Sequence, residues 1–250
     1  MSIVNDLCKT IGHEIDKLPV TELDEVLIDS VPCVNVDLGL FFDQRVDVYF
    51  NNDNDYLSQQ ATDYEYALGS YTCMSSPGVI RLYQNNLTNF FWGMVRFAID
   101  NYNLRNITRV DLKNYLSLVV YKTYFHEIFH FNCNIFREIF EFTYSPLLEE
   151  ALAVSYANLR LSKLREDGKT SIGRSYAVLY NIFLRHGFEY VSPGYKDWRQ
   201  FEGYSRLSTG VVEYVKPGNF AFLKGNGVDI EDLVFGLIRT GPDPFYECLI

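Results

Sequence analysis

Basic residues are scarce in this chain, and their scarcity argues against one broad class of function. The 250 residues include 22 Lys and Arg against 32 Asp and Glu, which gives a formal net charge of −10. A protein that binds nucleic acid or an anionic membrane needs a basic surface that displaces counterions from phosphates. We therefore expect no nucleic-acid partner and no membrane partner.

The chain also lacks the sequence signals of a secreted or membrane-inserted protein. Its five cysteines are scattered and odd in number, without a CxxC pair, which is typical of a reducing compartment. The first 18 residues carry charges throughout instead of the apolar core of a secretion signal. No run of about 18 apolar residues could cross a membrane. These absences predict a cytoplasmic protein.

Neither a low-complexity linker nor an internal repeat divides the sequence. Apolar residues make up 48% of the chain and charged residues 22%, which is the composition of an ordinary globular protein. Strand patterns lie early, helical patterns lie in the middle, and the tail is mixed. We therefore predict a single α+β domain over residues 1–250.

Hydrophobic periodicity and turn residues predict the order of the elements. Thr108 with Asp111, and Ser145 with Pro146, are signatures of helix starts. The predicted helices span about residues 3–18, 21–28, 85–100, 109 through the 126–130 motif, 145–161, 176–186 and 230–239. The predicted strands are 33–37, 46–50, 79–83, 211–215 and 219–223, and the predicted exposed loops are 51–65 and 162–175.

Histidine is rare in this chain, and one short motif contains half of the histidines. Two of the four histidines, His126 and His130, enclose Glu127 in an HExxH pentapeptide within a predicted helix. Side chains four residues apart lie on one helix face, so both imidazoles can bind one metal ion. Glu127 points about 100° away around the helix, from where its carboxylate can take a proton from water at that metal.

A buried aromatic helix with two hydrogen-bonded histidines is the alternative explanation of this motif. The uncharged neighbours Tyr124, Phe125, Phe129 and Phe131 predict that the helix is buried. Placing two histidines and a glutamate in such a helix costs free energy unless they have partners. Because a metal ion is such a partner, we favour the metal site.

A tetrahedral catalytic zinc site needs a third protein ligand and one open position. No further histidine follows at the metzincin spacing HExxHxxGxxH. Cys133 follows His130 by three residues, but a thiolate there would hold zinc too tightly for hydrolysis. Glu149 and Glu150 follow His130 by 19 and 20 residues, at the start of the next predicted helix, and either carboxylate could complete the site.

This arrangement resembles the gluzincin metallopeptidases, which have HExxH on one helix and a glutamate ligand on the next, antiparallel helix. Glu150-Ala151-Leu152-Ala153 is similar to the family's Glu-(Gly/Ala)-x-(Ala/Ser) stretch around that ligand. Small Ala153 and Ala157 share a face with Glu150 and would let the two helices approach. The resemblance covers residues 123–153, within a motif core at about 78–161.

The resemblance implies a ligand set and a catalytic residue. Zn²⁺ would be held by His126, His130 and Glu150, and Glu127 would activate water and later protonate the leaving amine. The resemblance favours Glu150 over Glu149 as the third ligand.

A zincin-like fold is also implied, as a compact single domain with a small mixed sheet. An edge strand of that sheet would pack on the motif helix and pair with an extended peptide. Val79–Tyr83 is the candidate for this strand, and an interior strand is the alternative. The family usually stabilises the oxyanion with a Tyr or His beyond the third ligand, for which Tyr176, Tyr180, His186 and Tyr190 are candidates among which the sequence does not choose.

The expected function is therefore that of a cytoplasmic zinc-dependent peptidase with a peptide or protein as its substrate. The alternative is a binding or regulatory protein that keeps the zincin fold and hydrolyses nothing. That alternative includes a toxin or defence component controlled by a regulatory protein partner. The unassigned oxyanion donor keeps the alternative open.

Overall fold

The computed structural model describes residues 2–44, 66–72, 78–167, 176–216, 232 and 245–249. The helices of these parts are α1 (Ser2–Asp16), α2 (Leu38–Phe42), α3 (Gln84–Tyr102), α4 (Arg109–Phe140), α5 (Pro146–Asp167), α6 (Ala177–His186) and α7 (Tyr204–Val215). Short 3₁₀ helices span Ile28–Ser30 and Tyr195–Phe201. The strands are β1 (Gly69–Thr72), β2 (Val79–Tyr83) and β3 (Phe245–Leu249). The architecture is mixed α+β and mostly helical.

Helix α4 carries the HExxH motif and runs through the hydrophobic core. It begins with a capping box, in which Thr108 Oγ1 accepts from the Asp111 N–H and Asp111 Oδ2 accepts from the Thr108 N–H. It ends where Glu141 adopts the left-handed conformation at φ 47°. Apolar side chains are buried along its whole length, including Leu112, Leu116, Val119, Phe129 and Phe136. This packing holds the motif on a rigid element.

Helix α5 packs antiparallel against α4. Arg137, near the end of α4, contacts Glu149 at the start of α5. Phe125 and Phe129, which lie earlier in α4, contact Tyr156, which lies later in α5. Two alanines of α5 on the face of Glu150, Ala153 and Ala157, are fully buried, as expected of small residues that let the helices approach.

The three strands form one sheet in the order β1-β2-β3, with β1 antiparallel and β3 parallel to β2. The expectation that Val79–Tyr83 is the edge strand is therefore wrong, because these residues form the central strand. The edge strand beside the motif helix is β1. A Cβ on its Gly69 would lie 2.7 Å from Thr123 Cγ2 and 3.2 Å from Glu127 Cγ. Only glycine lets β1 approach α4 this closely.

Several predicted helices are confirmed, namely 3–18, 85–100, 145–161 and 176–186, which correspond to α1, α3, α5 and α6. The helix from Arg109 is confirmed as α4. Helix α5 continues to Asp167, so the predicted loop at 162–175 starts too early.

The helix predicted over 21–28 is wrong, because this segment makes a turn. The Thr21 hydroxyl accepts from the N–H groups of Leu23 and Glu25, and Asp24 has a φ of 61°. Val20 pairs with Val26 across the turn. A threonine side chain that bonds to nearby backbone N–H groups competes with helix formation.

The strands predicted at 211–215 and 33–37 are also wrong. Residues 211–215 end helix α7, whose buried residues recur at helical spacing: Leu207, Gly210, Val211, Tyr214 and Val215. Residues 33–37 form no strand, and Asp37 caps α2 by accepting from the Gly39 N–H. The predictions at 46–50, 51–65 and 219–223, and that at 230–239 apart from residue 232, lie outside the described residues. One domain over the whole chain stays a prediction.

Candidate metal centre

Three side chains converge between α4 and α5, and they are the predicted ligand set His126, His130 and Glu150. The two Nε2 atoms lie 3.1 Å apart. Glu150 Oε2 lies 3.1 Å from His126 Nε2 and 3.3 Å from His130 Nε2. A tetrahedral metal with bonds of about 2.0–2.1 Å separates its ligand atoms by about 3.3–3.4 Å. The three donor atoms therefore have nearly the spacing that one metal ion requires.

Hydrogen bonds satisfy the cluster only in part, because His130 bonds to His126 and Glu149 but one oxygen of Glu150 has no partner in the described parts of the chain. Glu150 Oε2 is buried and has no hydrogen-bond partner of acceptable geometry among the described residues, although both imidazoles lie close to it. Burial raises the pKa of Glu150, but the neighbouring His130 and His126 outweigh this effect and hold the pKa well below its usual range. A buried carboxylate that stays ionised requires a nearby positive charge. The protonated imidazole of His130 supplies this charge when no ion is bound, and a metal ion at the same place would supply it instead, so the donor set fits a metal ion.

Glu149, the other candidate ligand, supports the site from outside. His130 Nδ1 donates to Glu149 Oε1 at 2.8 Å, so that its Nε2 faces the cluster. Glu149 Oε2 accepts from Arg137 Nη1 and, at 2.5 Å, from the Tyr214 hydroxyl. Arg137 Nη1 also donates to the Tyr214 hydroxyl at 2.7 Å. Such a carboxylate behind a metal-binding histidine fixes the ring and its tautomer.

The sequence reasoning did not identify the two partners of Glu149. Arg137 follows His126 by 11 residues, about three helical turns, so it lies on the same face of α4 and periodicity could have identified it. Tyr214 had no such signal, because the local pattern predicts a strand at that position.

Glu127 lines a cavity beside the cluster, together with His126 and Gly69. Its side chain is buried. Burial raises the pKa of Glu127, while the neighbouring imidazoles lower it. A carboxyl group whose proton affinity is raised by burial is suited to accept a proton and return it.

Three of the four candidate oxyanion donors do not line the cavity beside the cluster. Tyr176 is exposed at the start of α6. The Tyr180 hydroxyl donates to the carbonyl oxygen of Leu161. His186 Nε2 lies 2.5 Å from the Tyr102 hydroxyl. None of these three side chains is among the residues that line the described cavity.

Two tyrosines line the cavity, the fourth candidate Tyr190 and the unpredicted Tyr195. The Tyr195 ring stacks on His126 with 5.7 Å between centroids and 15° between planes. Burial, together with the charges of Glu150 and Glu127, raises the pKa of the Tyr195 hydroxyl. Burial also raises the pKa of Tyr190. Both hydroxyls therefore keep their protons and can act as hydrogen-bond donors.

Cys133 lies outside the ligand group, as the sequence analysis favours. Its side chain is buried, and burial raises the pKa of its thiol well above the ordinary value. A thiol that holds its proton is a poor metal ligand, because the thiolate is the form that binds.

Comparisons of the chain with protein-family models, curated proteins and solved structures find no match. The resemblance to gluzincins therefore rests on the HExxH motif and the geometry of the cluster, and the family assignment stays a prediction. Within the described parts of the chain, no helix is both long and apolar enough to cross a bilayer.

Proposed function

We propose that the protein is a zinc-dependent peptidase of the zincin type, with Zn²⁺ on His126, His130 and Glu150. One observation carries the proposal. The buried Glu127 lines the same cavity as His126, which belongs to the donor cluster. Two imidazoles and one carboxylate are a common catalytic zinc ligand set. Zinc in such a site supplies a Lewis acid that lowers the pKa of water and polarises a carbonyl.

Glu127 serves as the proton carrier in this proposal. Its carboxylate accepts the proton of the attacking water and delivers it to the nitrogen of the leaving amine. The raised pKa of Glu127 supports both halves of this role, because a stronger base takes the proton more readily at neutral pH.

Tyr195 is the proposed donor to the oxyanion. Burial keeps the pKa of its hydroxyl well above the ordinary value, so the hydroxyl is protonated, and the residue lines the cavity. The stacking of its ring on His126 fixes its position relative to the cluster. A preorganised donor of this kind stabilises the charge that develops in the transition state. Tyr190 also lines the cavity and is the second candidate for the role.

The edge of β1 is the proposed binding site for the peptide backbone. Among the described strands β1 pairs with β2 alone, so the opposite edge of β1 is the side on which a further strand could add. Gly69 brings this strand against Thr123 and Glu127 of the motif helix. A peptide that adds a strand there would pass close to the general base.

The proposed partner is a peptide or protein substrate, and the proposed location is the cytoplasm. The acidic net charge of −10 supports the absence of a nucleic-acid partner. The scattered cysteines support a reducing compartment, and a regulatory protein partner remains compatible with the site.

A peptide library digested by the zinc-loaded protein and analysed by mass spectrometry tests the proposal. Glu127→Gln keeps the size of the side chain and all three ligands but removes the proton acceptor. We expect cleavage by the wild type and a loss of about 10²–10⁴ in rate for the variant. Equal cleavage by both proteins would refute the mechanism. If both hold zinc and neither cleaves any peptide, the non-catalytic binding protein is the better explanation.

A further inference from the structure

Lys122 is a buried lysine whose ammonium has no hydrogen-bond partner among the described residues. Its side chain is 2% exposed, and its Nζ atom bonds to no protein group there. Four aromatic rings surround the Nζ atom, with centroids 4.6 Å, 4.9 Å, 5.4 Å and 5.7 Å away: Phe90, Tyr190, Phe188 and Phe42. The side chain thus has the setting of a cation-binding aromatic cage, occupied by the protein's own lysine.

The cage does not fully compensate for the burial of this charge. Burial lowers the pKa of Lys122 to about 7 and is the single cause of the shift, so no acidic side chain of the described chain offsets it. Cation–π attraction recovers part of the lost hydration, but it leaves the N–H donors unsatisfied. An apolar side chain of similar length would be more stable at this position.

Lys122 lies next to the candidate metal centre. It precedes His126 by four residues on α4, so the two side chains share a helix face. Both line the same cavity as Glu127. The Tyr190 ring, which contacts the ammonium, lies 5.1 Å from the Tyr195 ring, and the latter stacks on His126.

We propose that Lys122 determines specificity by binding a carboxylate of the substrate in the cavity beside the metal centre. This inference rests on the proposed function, because a peptide is the source of the carboxylate. A bound carboxylate would accept the free N–H donors and neutralise the ammonium within apolar walls, where charge-assisted hydrogen bonds are strong.

The size of the cavity fits this ligand. The cavity has a volume of about 40 Å³, and a cavity needs about 10–15 Å³ to hold one water molecule. A group of about three heavy atoms therefore fits, which is the size of a carboxylate. The carboxylates of a peptide are those of an acidic side chain and of the free C-terminus, and the experiment must separate them.

Binding of blocked amino acids to the full-length, zinc-loaded protein tests this proposal by calorimetry. N-acetylglutamate α-amide carries a side-chain carboxylate, N-acetylalanine carries a terminal carboxylate, and N-acetylglutamine α-amide carries neither. We expect at least one carboxylate probe to bind about tenfold or more tightly than the glutamine probe, as a charge-assisted hydrogen bond predicts. The tighter carboxylate probe identifies the source of the group.

Lys122→Met separates binding by the ammonium from binding by the metal ion. It should weaken the carboxylate probe about tenfold or more and leave the glutamine probe unchanged. Lys113→Met is the matched control, because Lys113 lies on the same helix with 45% of its side chain exposed, and it should bind all probes like the wild type. Equal carboxylate binding by wild type and Lys122→Met would overturn the proposal, as would no preference of the wild type for carboxylate probes.

A second readout needs no variant. The carbon chemical shift of the Lys122 side chain reports its ionisation, and the favoured carboxylate probe should raise its pKa from about 7, whereas the glutamine probe should not. An unchanged pKa with the carboxylate probe bound would contradict the proposal. Neither readout requires hydrolysis, so failure of the peptidase proposal and failure of the role of Lys122 are distinguishable.

Discussion

Glu149 and Glu150 approach opposite nitrogens of one imidazole ring, that of His130. Glu149 Oε1 lies 2.8 Å from Nδ1, and Glu150 Oε2 lies 3.3 Å from Nε2. Successive residues of a helix point about 100° apart, so the two carboxylates reach the ring from different sides. One glutamate belongs to the donor cluster, and its neighbour holds the ring in place.

The different positions of the two glutamates predict different effects on zinc binding. Glu149→Gln should weaken zinc affinity by about 10–100-fold, as the loss of an outer partner does. Glu150→Gln should weaken it more, because a neutral amide is a poorer ligand for a dication than a carboxylate. Competition with a chromophoric chelator measures both affinities. Equal loss in the two variants, or the reverse order, would remove Glu150 from the ligand set.

The buried contacts of Glu149 predict a loss of stability when its partners are removed. Arg137→Met leaves Glu149 without its cation and should lower the free energy of unfolding by about 3–5 kcal/mol. Tyr214→Phe removes one hydrogen bond to a charged group and should cost about 1.5–3 kcal/mol. Chemical denaturation of zinc-free protein measures both. Tyr176→Phe, at an exposed position, is the control and should have no measurable effect, and a loss as large as that of Tyr214→Phe would contradict the assignment.

Removal of the Tyr195 hydroxyl tests the oxyanion donor. Tyr195→Phe should lower kcat by about 10²–10³, which is typical for one such donor. Zinc content should not change, because the ring that stacks on His126 is kept. Steady-state kinetics on a cleaved peptide, with Tyr190→Phe measured in parallel, distinguishes the two tyrosines. If Tyr190→Phe has the larger effect on kcat, the role belongs to Tyr190.

The close approach of β1 to the motif helix predicts sensitivity at Gly69. Gly69→Ala places a methyl group against Thr123 and the Arg81 carbonyl oxygen, so β1 must shift away from α4. We expect a lower kcat/KM with unchanged zinc affinity, because the ligands lie on α4 and α5.

Gly12→Ala is the matched control for this substitution. A Cβ at Gly12 meets no atom within 4 Å, and alanine favours the helix by about 0.5–1 kcal/mol. Its activity should equal that of the wild type. An active Gly69→Ala protein with wild-type kcat/KM would show that the position of β1 does not matter for catalysis.

The ligand set could be predicted because its geometry is local. His126 and His130 share a helix face by periodicity alone, and the capped helix start at Ser145 and Pro146 brings Glu150 back towards them. Each step depends on residues within one or two helices, where backbone geometry is regular.

The features that the sequence did not predict depend on contacts between segments that are distant in the chain, and such contacts leave no local signal. Val79–Tyr83 is central because β3 pairs with it from residues 245–249. Tyr195 reaches His126 from a short 3₁₀ helix. The run Val211-Val212 favours a strand by propensity, but burial of one helical face against the core decides its conformation.

The chain order of the site has a consequence for synthesis. All three donor residues of the cluster, and the Glu149 that supports it, lie within residues 126–150 and are therefore synthesised together. Tyr190, Tyr195, Tyr214 and strand β3 are made later. A nascent chain therefore possesses the complete donor set before it possesses the tyrosines of the cavity. If the cluster binds a metal ion as proposed, the residues that would hold the ion are in place while the surface that would receive a substrate is still missing.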